Sequence, residues 1–175
     1  MSKELRALVR NVVDFPKTGI VFRDITPLLA DSAGLAEAMR AMAAPYKQLK
    51  IDVVVGAESR GFIFGTAIAL ELGCGFVPVR KPGKLPSATI SKEYGLEYGT
   101  DNLEIHTDAI KPGQAVLMAD DLLATGGTMK ACCDMVEQLG GKIAAITFLI
   151  ELSFLGGRKV LGDYPIHSVI DYDHE

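Results

Sequence analysis

Five short apolar runs set the rhythm of the chain. Ile51-Asp-Val-Val-Val55, Gly75-Phe-Val-Pro-Val79, Ala115-Val-Leu-Met-Ala119, Ile143 to Ile150 and Ile166 to Ile170 are continuous rather than alternating. Continuous runs of this length belong to strands covered on both faces. Helix-like segments separate them. One spans Phe62 to Leu72 and stops at Gly73; another follows Ala119 and ends at Leu139, before Gly140-Gly141. Upstream, Ala33 to Leu49 reads as a helix with Asp31 or Ser32 as N-cap and Leu35, Met39, Met42 and Ala43 near one face. Strands alternating with helices predict an α/β fold, a central mostly parallel sheet flanked by helices. Ligands of such sheets sit at the carboxyl ends of the strands, so the residues after Val55, Val79 and Ala119 are the ones to examine.

Other stretches break the rhythm. Leu5 to Val13 is a short amphipathic segment, and Phe15 to Pro27 is punctuated by Pro16, Gly19 and Pro27. That second stretch is expected to be irregular, outside any helix or sheet ladder. Arg80 to about Asn102 carries Arg80, Lys81, Lys84 and Lys92 with no acid before Glu93. Pro82, Gly83, Pro86, Gly95 and Gly99 argue against long regular structure there. A connection of over about 15 residues in a compact domain is usually an active-site lid, or else disordered. A solvated basic run is its blander explanation.

Composition narrows the function class. The 175 residues are 49% apolar and 23% charged, which excludes a disordered or low-complexity chain. Neither a repeat nor a long linker divides them, so a single domain over 1–175 is expected. Net charge is −4, the wrong sign for a non-specific nucleic-acid or anionic-membrane binder. An anionic ligand must therefore be held by a few local cations and main-chain N–H groups. The three cysteines, Cys74, Cys132 and Cys133, form neither a disulfide framework nor a zinc motif. His106, His167 and His174 are scattered, without metal-ligand spacing. No apolar run reaches about 18 residues and no apolar segment follows the N-terminal charges, so a soluble, cytoplasmic, reduced protein is expected.

The strongest chemical signal is Val116-Leu-Met-Ala-Asp-Asp-Leu-Leu-Ala-Thr-Gly-Gly-Thr-Met129. A buried strand ends in two carboxylates, and a turn through Ala124, Thr125, Gly126, Gly127 and Thr128 opens a helix. Glycines let the main chain approach an anion, and the first N–H groups of the helix point at it. The pattern is neither a Walker P-loop nor GxGxxG. Adjacent buried carboxylates repel each other and resist desolvation. Asp120 and Asp121 are tolerable there if one accepts from sugar hydroxyls and the other meets a cation. Together these features describe a ribose 5-phosphate cradle. The alternative is a glycine turn whose acids only complement the helix dipole. After Val55, Gly56-Ala-Glu-Ser-Arg-Gly61 reads as a strand-to-helix turn suited to phosphate, or as one whose Glu58 and Arg60 merely pair on the surface.

The 116–129 segment resembles the phosphoribosyl pyrophosphate (PRPP) motif of the type I phosphoribosyltransferases. Val21-Phe-Arg-Asp-Ile25, Gly56-Ala-Glu-Ser-Arg-Gly-Phe62, Arg80-Lys81 with Gly83-Lys84-Leu-Pro86, Leu96-Glu-Tyr-Gly99 and Leu149 to Leu152 look like the adenine-specific branch of that family, in order along the chain. The resemblance implies the type I phosphoribosyltransferase fold, with a small N-terminal hood over about 1–32 and a flexible lid over about 80–102. It implies formation of AMP and pyrophosphate from adenine and PRPP, with Mg²⁺ carried by PRPP rather than by a dedicated protein ligand cluster. Arg60, Lys81, Lys84, Asp120, Asp121 and Ala124 to Thr128 are the implied PRPP residues. Ala57, Glu58 and Ser59 form the implied pyrophosphate loop, with a cis peptide between Glu58 and Ser59. Val21, Phe22, Arg23, Tyr98 and Leu152 are the implied adenine contacts. Glu97, with Arg60 and the acid pair, is an implied catalytic group. A homodimer is implied by resemblance alone. Two rivals share the fold: an enzyme for 6-oxopurines, and a regulator that binds without turnover.

Overall fold

A computed structural model describes residues 2–95 and 100–174 of the chain, excepting the side chains of residues 2, 3 and 100. It begins with α1 (Ser2–Ala7), β1 (Arg10–Val13), β2 (Val21–Asp24), α2 (Thr26–Ala30) and α3 (Ser32–Ala43). The middle comprises β3 (Val53–Ala57), α4 (Arg60–Leu72), β4 (Gly75–Val79), β5 (Thr89–Gly95) and β6 (Thr100–His106). The last third is β7 (Ala115–Leu123), α5 (Gly127–Gln138), β8 (Lys142–Leu152), α6 (Gly157–Leu161) and β9 (Ile166–Tyr172).

The five expected strands form one parallel sheet in the order β4-β3-β7-β8-β9. Their continuous apolar runs follow from packing on both faces. Val54, Leu117 and Leu149 join Met42, Phe64 and Ile68 in one core. Their neighbours Val55, Met118 and Phe148 join Met129, Cys132 and Met135 in the other. Alternate residues of a strand point to opposite faces, so both registers must be apolar. The α/β architecture expected from the sequence, a central parallel sheet flanked by helices, is the one observed.

Helix ends follow local chemistry. Asp31 caps α3 by accepting from the Gly34 N–H at 2.7 Å. α3 stops at Ala43, six residues before the expected Leu49, and a single 3₁₀ turn over Ala44–Tyr46 follows. Pro45 has no N–H to continue the ladder. α4 ends at Gly73, in the left-handed region at φ 68°.

Three expectations are corrected. Val21 to Asp24 is not irregular: it pairs antiparallel with β1, Val13 facing Val21 and Val12 facing Phe22. Residues 89–95 and 100–106 are not structureless loop but antiparallel strands, β5 and β6, paired from Thr89↔His106 to Gly95↔Thr100. The prolines precede β5 and so take no place in its ladder. Third, β7 continues through both carboxylates to Leu123, because main-chain pairing with β8 (Asp120↔Phe148, Leu123↔Glu151) does not depend on apolar side chains.

Candidate active site

A cleft of about 400 Å³ opens at the carboxyl ends of β3 and β7, beneath the β5–β6 hairpin. Its floor is the loop from β7 into α5. Gly126 takes φ +86° and leads into α5, whose first turn has no capping side chain. The N–H groups of that turn are thus left for an anion. Close packing fixes the loop from behind. A Cβ on Gly126 would lie 2.7 Å from the Gly157 carbonyl oxygen, and one on Gly157 only 2.3 Å from that of Ala124. All of Ala124, Thr125, Gly126, Gly127 and Thr128 line the cleft.

The acid pair lies beside this loop. Asp121 is buried, and its carboxylate meets Arg60 Nε at 2.6 Å. Asp120 sits deep but keeps a face toward the cleft, and its Oδ1 accepts from the Asp121 N–H at 2.9 Å. Burial pushes Asp120 well above the usual carboxylate range, and the Asp121 charge adds to the shift. Asp121 is also raised by burial, against the pull of Arg60. Gly61 makes room for the pair: a Cβ there would sit 2.7 Å from Asp120 Oδ1. Arg60 and Glu58 are not paired with one another. Glu58 accepts from Arg80 Nε at 3.1 Å and from the Lys81 N–H at 2.7 Å. The Glu58–Ser59 peptide is cis, and both residues line the cleft. Ala57 is the buried last residue of β3.

The hairpin covers the other side. Lys81 reaches Asp101 of β6 at 3.0 Å; the hydrogen bond raises the pKa of the lysine and lowers that of the carboxyl. The Tyr94 hydroxyl reaches Asp101 at 3.5 Å and also bonds Thr128. Lys92 reaches across to Asp134 of α5 at 3.2 Å. Lys84 does not line the cleft; its carbonyl accepts from Arg80 at 3.3 Å. Glu97 and Tyr98 lie outside the described residues.

Phe22 approaches the cleft through Arg60, whose guanidinium carbon is 5.6 Å from the ring centroid. Phe15 packs edge-on against Phe22 at 5.3 Å. Arg23 stands beside Phe22 on β2, but its side chain turns away from the cleft. Adjacent strand residues point oppositely, and Arg23 is buried against the Tyr172 ring with a hydrogen bond to Asn11 at 2.6 Å. Val21 and the half-buried Leu152 stand at the ends of β2 and β8.

Tyr94, Asp101, Gly61 and Gly157 are cleft or buttress residues that sequence reasoning missed. Ile90 and Tyr94, on one face of β5, both pack on the second core. That period-two signal was available in the sequence, whereas Asp101 carried none. Among the described residues no group of three or more His, Cys, Asp or Glu could hold a metal ion.

The family model for the phosphoribosyl transferase domain matches residues 24–161. The adenine phosphoribosyltransferase of Geobacter metallireducens is 58% identical over 169 residues, 97% of this chain and 99% of the relative. The crystal structure of adenine phosphoribosyltransferase from Thermoanaerobacter pseudethanolicus superposes with a TM-score of 0.95 at 51% identity, covering 98% of this chain and 100% of that one. The Saccharomyces cerevisiae enzyme, complexed with D-2,5-dideoxy-2,5-imino-altritol 1,6-bisphosphate and adenine, superposes at 0.91 with 39% identity, covering 97% and 98%.

Proposed function

The chain belongs to the adenine phosphoribosyltransferases of the phosphoribosyl transferase family, and from that premise we propose how its residues transfer phosphoribose from PRPP to adenine, forming AMP and pyrophosphate for purine salvage. The observation that carries this reading is the Asp120–Asp121 pair set directly before an anion-ready helix start, with Asp121 neutralised by Arg60.

The 5-phosphate docks on the main chain of Ala124 to Thr128, where the helix dipole and free N–H groups favour a dianion. The Thr125 and Thr128 hydroxyls add donors. Asp120, with its face open to the cleft, accepts from the ribose hydroxyls; each charge-assisted bond contributes about 1.5–3 kcal/mol. Pyrophosphate lies toward Ala57, Glu58 and Ser59, between Arg60 and Lys81. Lys84 joins only if its loop moves. Adenine is received by Phe22 and Leu152, with the unpaired edge of β2 at Val21 and Arg23 offering main-chain groups to the base. Glu97 serves as a catalytic group and Tyr98 as an adenine contact in this reading.

Bond breaking leads to an oxocarbenium-like ribose and charge on the departing pyrophosphate. The protein holds purine N9 in line with carbon 1, excludes water beneath the hairpin and meets the departing charge with Arg60, Lys81 and main-chain N–H groups. Mg²⁺ would arrive as a companion of PRPP, and Asp120, whose carboxylate faces the cleft, would help to hold it. When bound it would supply positive charge to the departing pyrophosphate.

A single domain over 1–175, a homodimer and a cytoplasmic location complete the proposal. The exposed Ile63 and Leu70 on α4 support an interface. No described helix is long and apolar enough to cross a membrane, and the net charge of −4 argues against a nucleic-acid partner. The test is product analysis with PRPP, Mg²⁺ and adenine, hypoxanthine or guanine. AMP is expected, with adenine preferred by at least about 10³-fold in kcat/KM, since a site built for the 6-amino donor leaves an acceptor unpaired against a 6-oxo group. Comparable IMP or GMP formation would overturn the adenine assignment.

A further inference from the structure

Tyr172, the last residue of β9, touches both walls of the seat proposed for the purine, although it is not itself part of that seat. Arg6 of α1 and Arg23 of β2 each place a guanidinium carbon 4.1 Å from the centroid of its ring. Arg6 also donates to the Asp171 carbonyl at 2.7 Å, and Arg23 donates to the His174 carbonyl at 3.4 Å and to Asn11 at 2.6 Å. On its other side, Tyr172 pairs in register with Leu152, and its carbonyl accepts from Ser153 at 3.2 Å. One residue therefore connects the strand that carries Phe22 with the strand end that carries Leu152.

The hairpin needs such an anchor. β1 and β2 are four residues each, and an isolated two-stranded ribbon of that size is marginal in water. Val13 and Phe15 near its turn are exposed, so its tip adds little buried apolar surface. Arg23, by contrast, is only 8% exposed, and its Nε has no hydrogen-bond partner. A buried guanidinium is a poor choice for stability alone. Here its flat face lies on an aromatic ring, an arrangement that fixes distance and orientation together.

We propose that Tyr172, gripped by Arg23 and Arg6, is a positioning residue that sets the spacing between Phe22 and Leu152 and so tunes affinity for the purine without touching it. This gives the C-terminal segment a role in the reaction. The proposal rests on the reading that Phe22 and Leu152 flank adenine.

The test is steady-state kinetics of the full chain, with adenine and PRPP varied separately. Tyr172→Ala is expected to raise the adenine KM by about tenfold, as loss of two cation–π contacts implies, and to leave the PRPP KM and kcat within about twofold. Tyr172→Phe keeps the ring and is expected to restore the adenine KM. Should Tyr172→Ala fail to accumulate as folded protein, Arg23→Lys, which keeps the charge but not the flat fork, is expected to raise the adenine KM selectively by a few-fold. An equal rise in both KM values, or no rise, in whichever of these two variants is measured would overturn the proposal. Failure of Tyr172→Phe to restore the adenine KM would overturn it as well. A wild-type protein that makes no AMP would instead remove the reading beneath it, whereas wild-type AMP formation without the selective effect removes the clamp alone.

Discussion

The carboxyl end of β7 and the β5–β6 hairpin face the same cleft, and each presents an ion pair to it. Asp121 meets Arg60 at 2.6 Å on the central strand of the sheet, with the carboxylate buried. Lys81 meets Asp101 at 3.0 Å at the mouth, with the lysine more than half exposed. The first pair is held by pairing on both edges of β7 and by helices on both faces. The second belongs to a two-stranded ribbon that must admit substrate. A fixed phosphate and ribose seat beneath a lightly tethered cover is what water exclusion combined with turnover requires.

The contrast is broken most severely by filling the space behind the phosphate loop. Gly126→Val combines a side chain at φ +86° with a Cβ 2.7 Å from the Gly157 carbonyl. It is expected to lower kcat/KM for PRPP by about 10³-fold, with secondary structure retained by circular dichroism. A variant within tenfold of wild type would show that the loop is not fixed as described. Next in size is the buried pair. Asp121→Asn leaves Arg60 without its partner and is expected to reduce kcat/KM by about 10²-fold. The exposed end of the guanidinium keeps the effect below the 3–5 kcal/mol of a fully buried pair.

Asp120 sharpens the comparison through pH. Its carboxyl is raised above the usual range in the folded protein, so folding takes up a proton between the unfolded pKa near 4 and the raised value. Stability contributed by this group is therefore present below about pH 4 and lost as pH rises through that window. Asp120→Asn removes the loss, so the empty variant is expected to be more stable than wild type at pH 7 and no more stable at pH 4. Its activity is expected to fall, because the proposed ribose acceptor is gone. Thermal melts across pH 4–8 check the first part, and an unchanged difference would contradict it. The smallest effect belongs to the hairpin tether. Lys92→Ala removes an exposed contact to Asp134 and is expected to change kcat by about twofold or less, an effect that fades as salt rises. A tenfold change would mean that the cover is held far more firmly than an exposed pair allows.

The same contrast explains what the sequence revealed. Val54 and Val55, or Leu117 and Met118, must satisfy two cores at once, so the sheet strands announce themselves as unbroken apolar runs. The glycine turn and the acid pair were legible because few other roles need those residues together. The ribbons were not. β1, β2, β5 and β6 bury at most one face and carry Arg10, Asn11, Lys92 and Glu93 within them, so their polar positions read as loop. Arg23 read as a base contact from the family resemblance of residues 21–25, which says nothing of where its side chain goes. The sequence did not disclose that Tyr172, nearly 150 positions later, would take its guanidinium. Gly157 and Gly61 matter only through carbonyl and carboxylate oxygens that pass beside them, a relation visible only in three dimensions.

The division between a fixed phosphate seat and a ribbon-built purine seat is tested most directly by a crystal structure of the protein with bound AMP. The phosphate is expected against the main-chain N–H groups of Ala124 to Thr128, the ribose hydroxyls within hydrogen-bond distance of Asp120, and the base between Phe22 and Leu152. A phosphate lodged instead on the Glu58 to Arg60 turn, or a base remote from β2, would contradict the account.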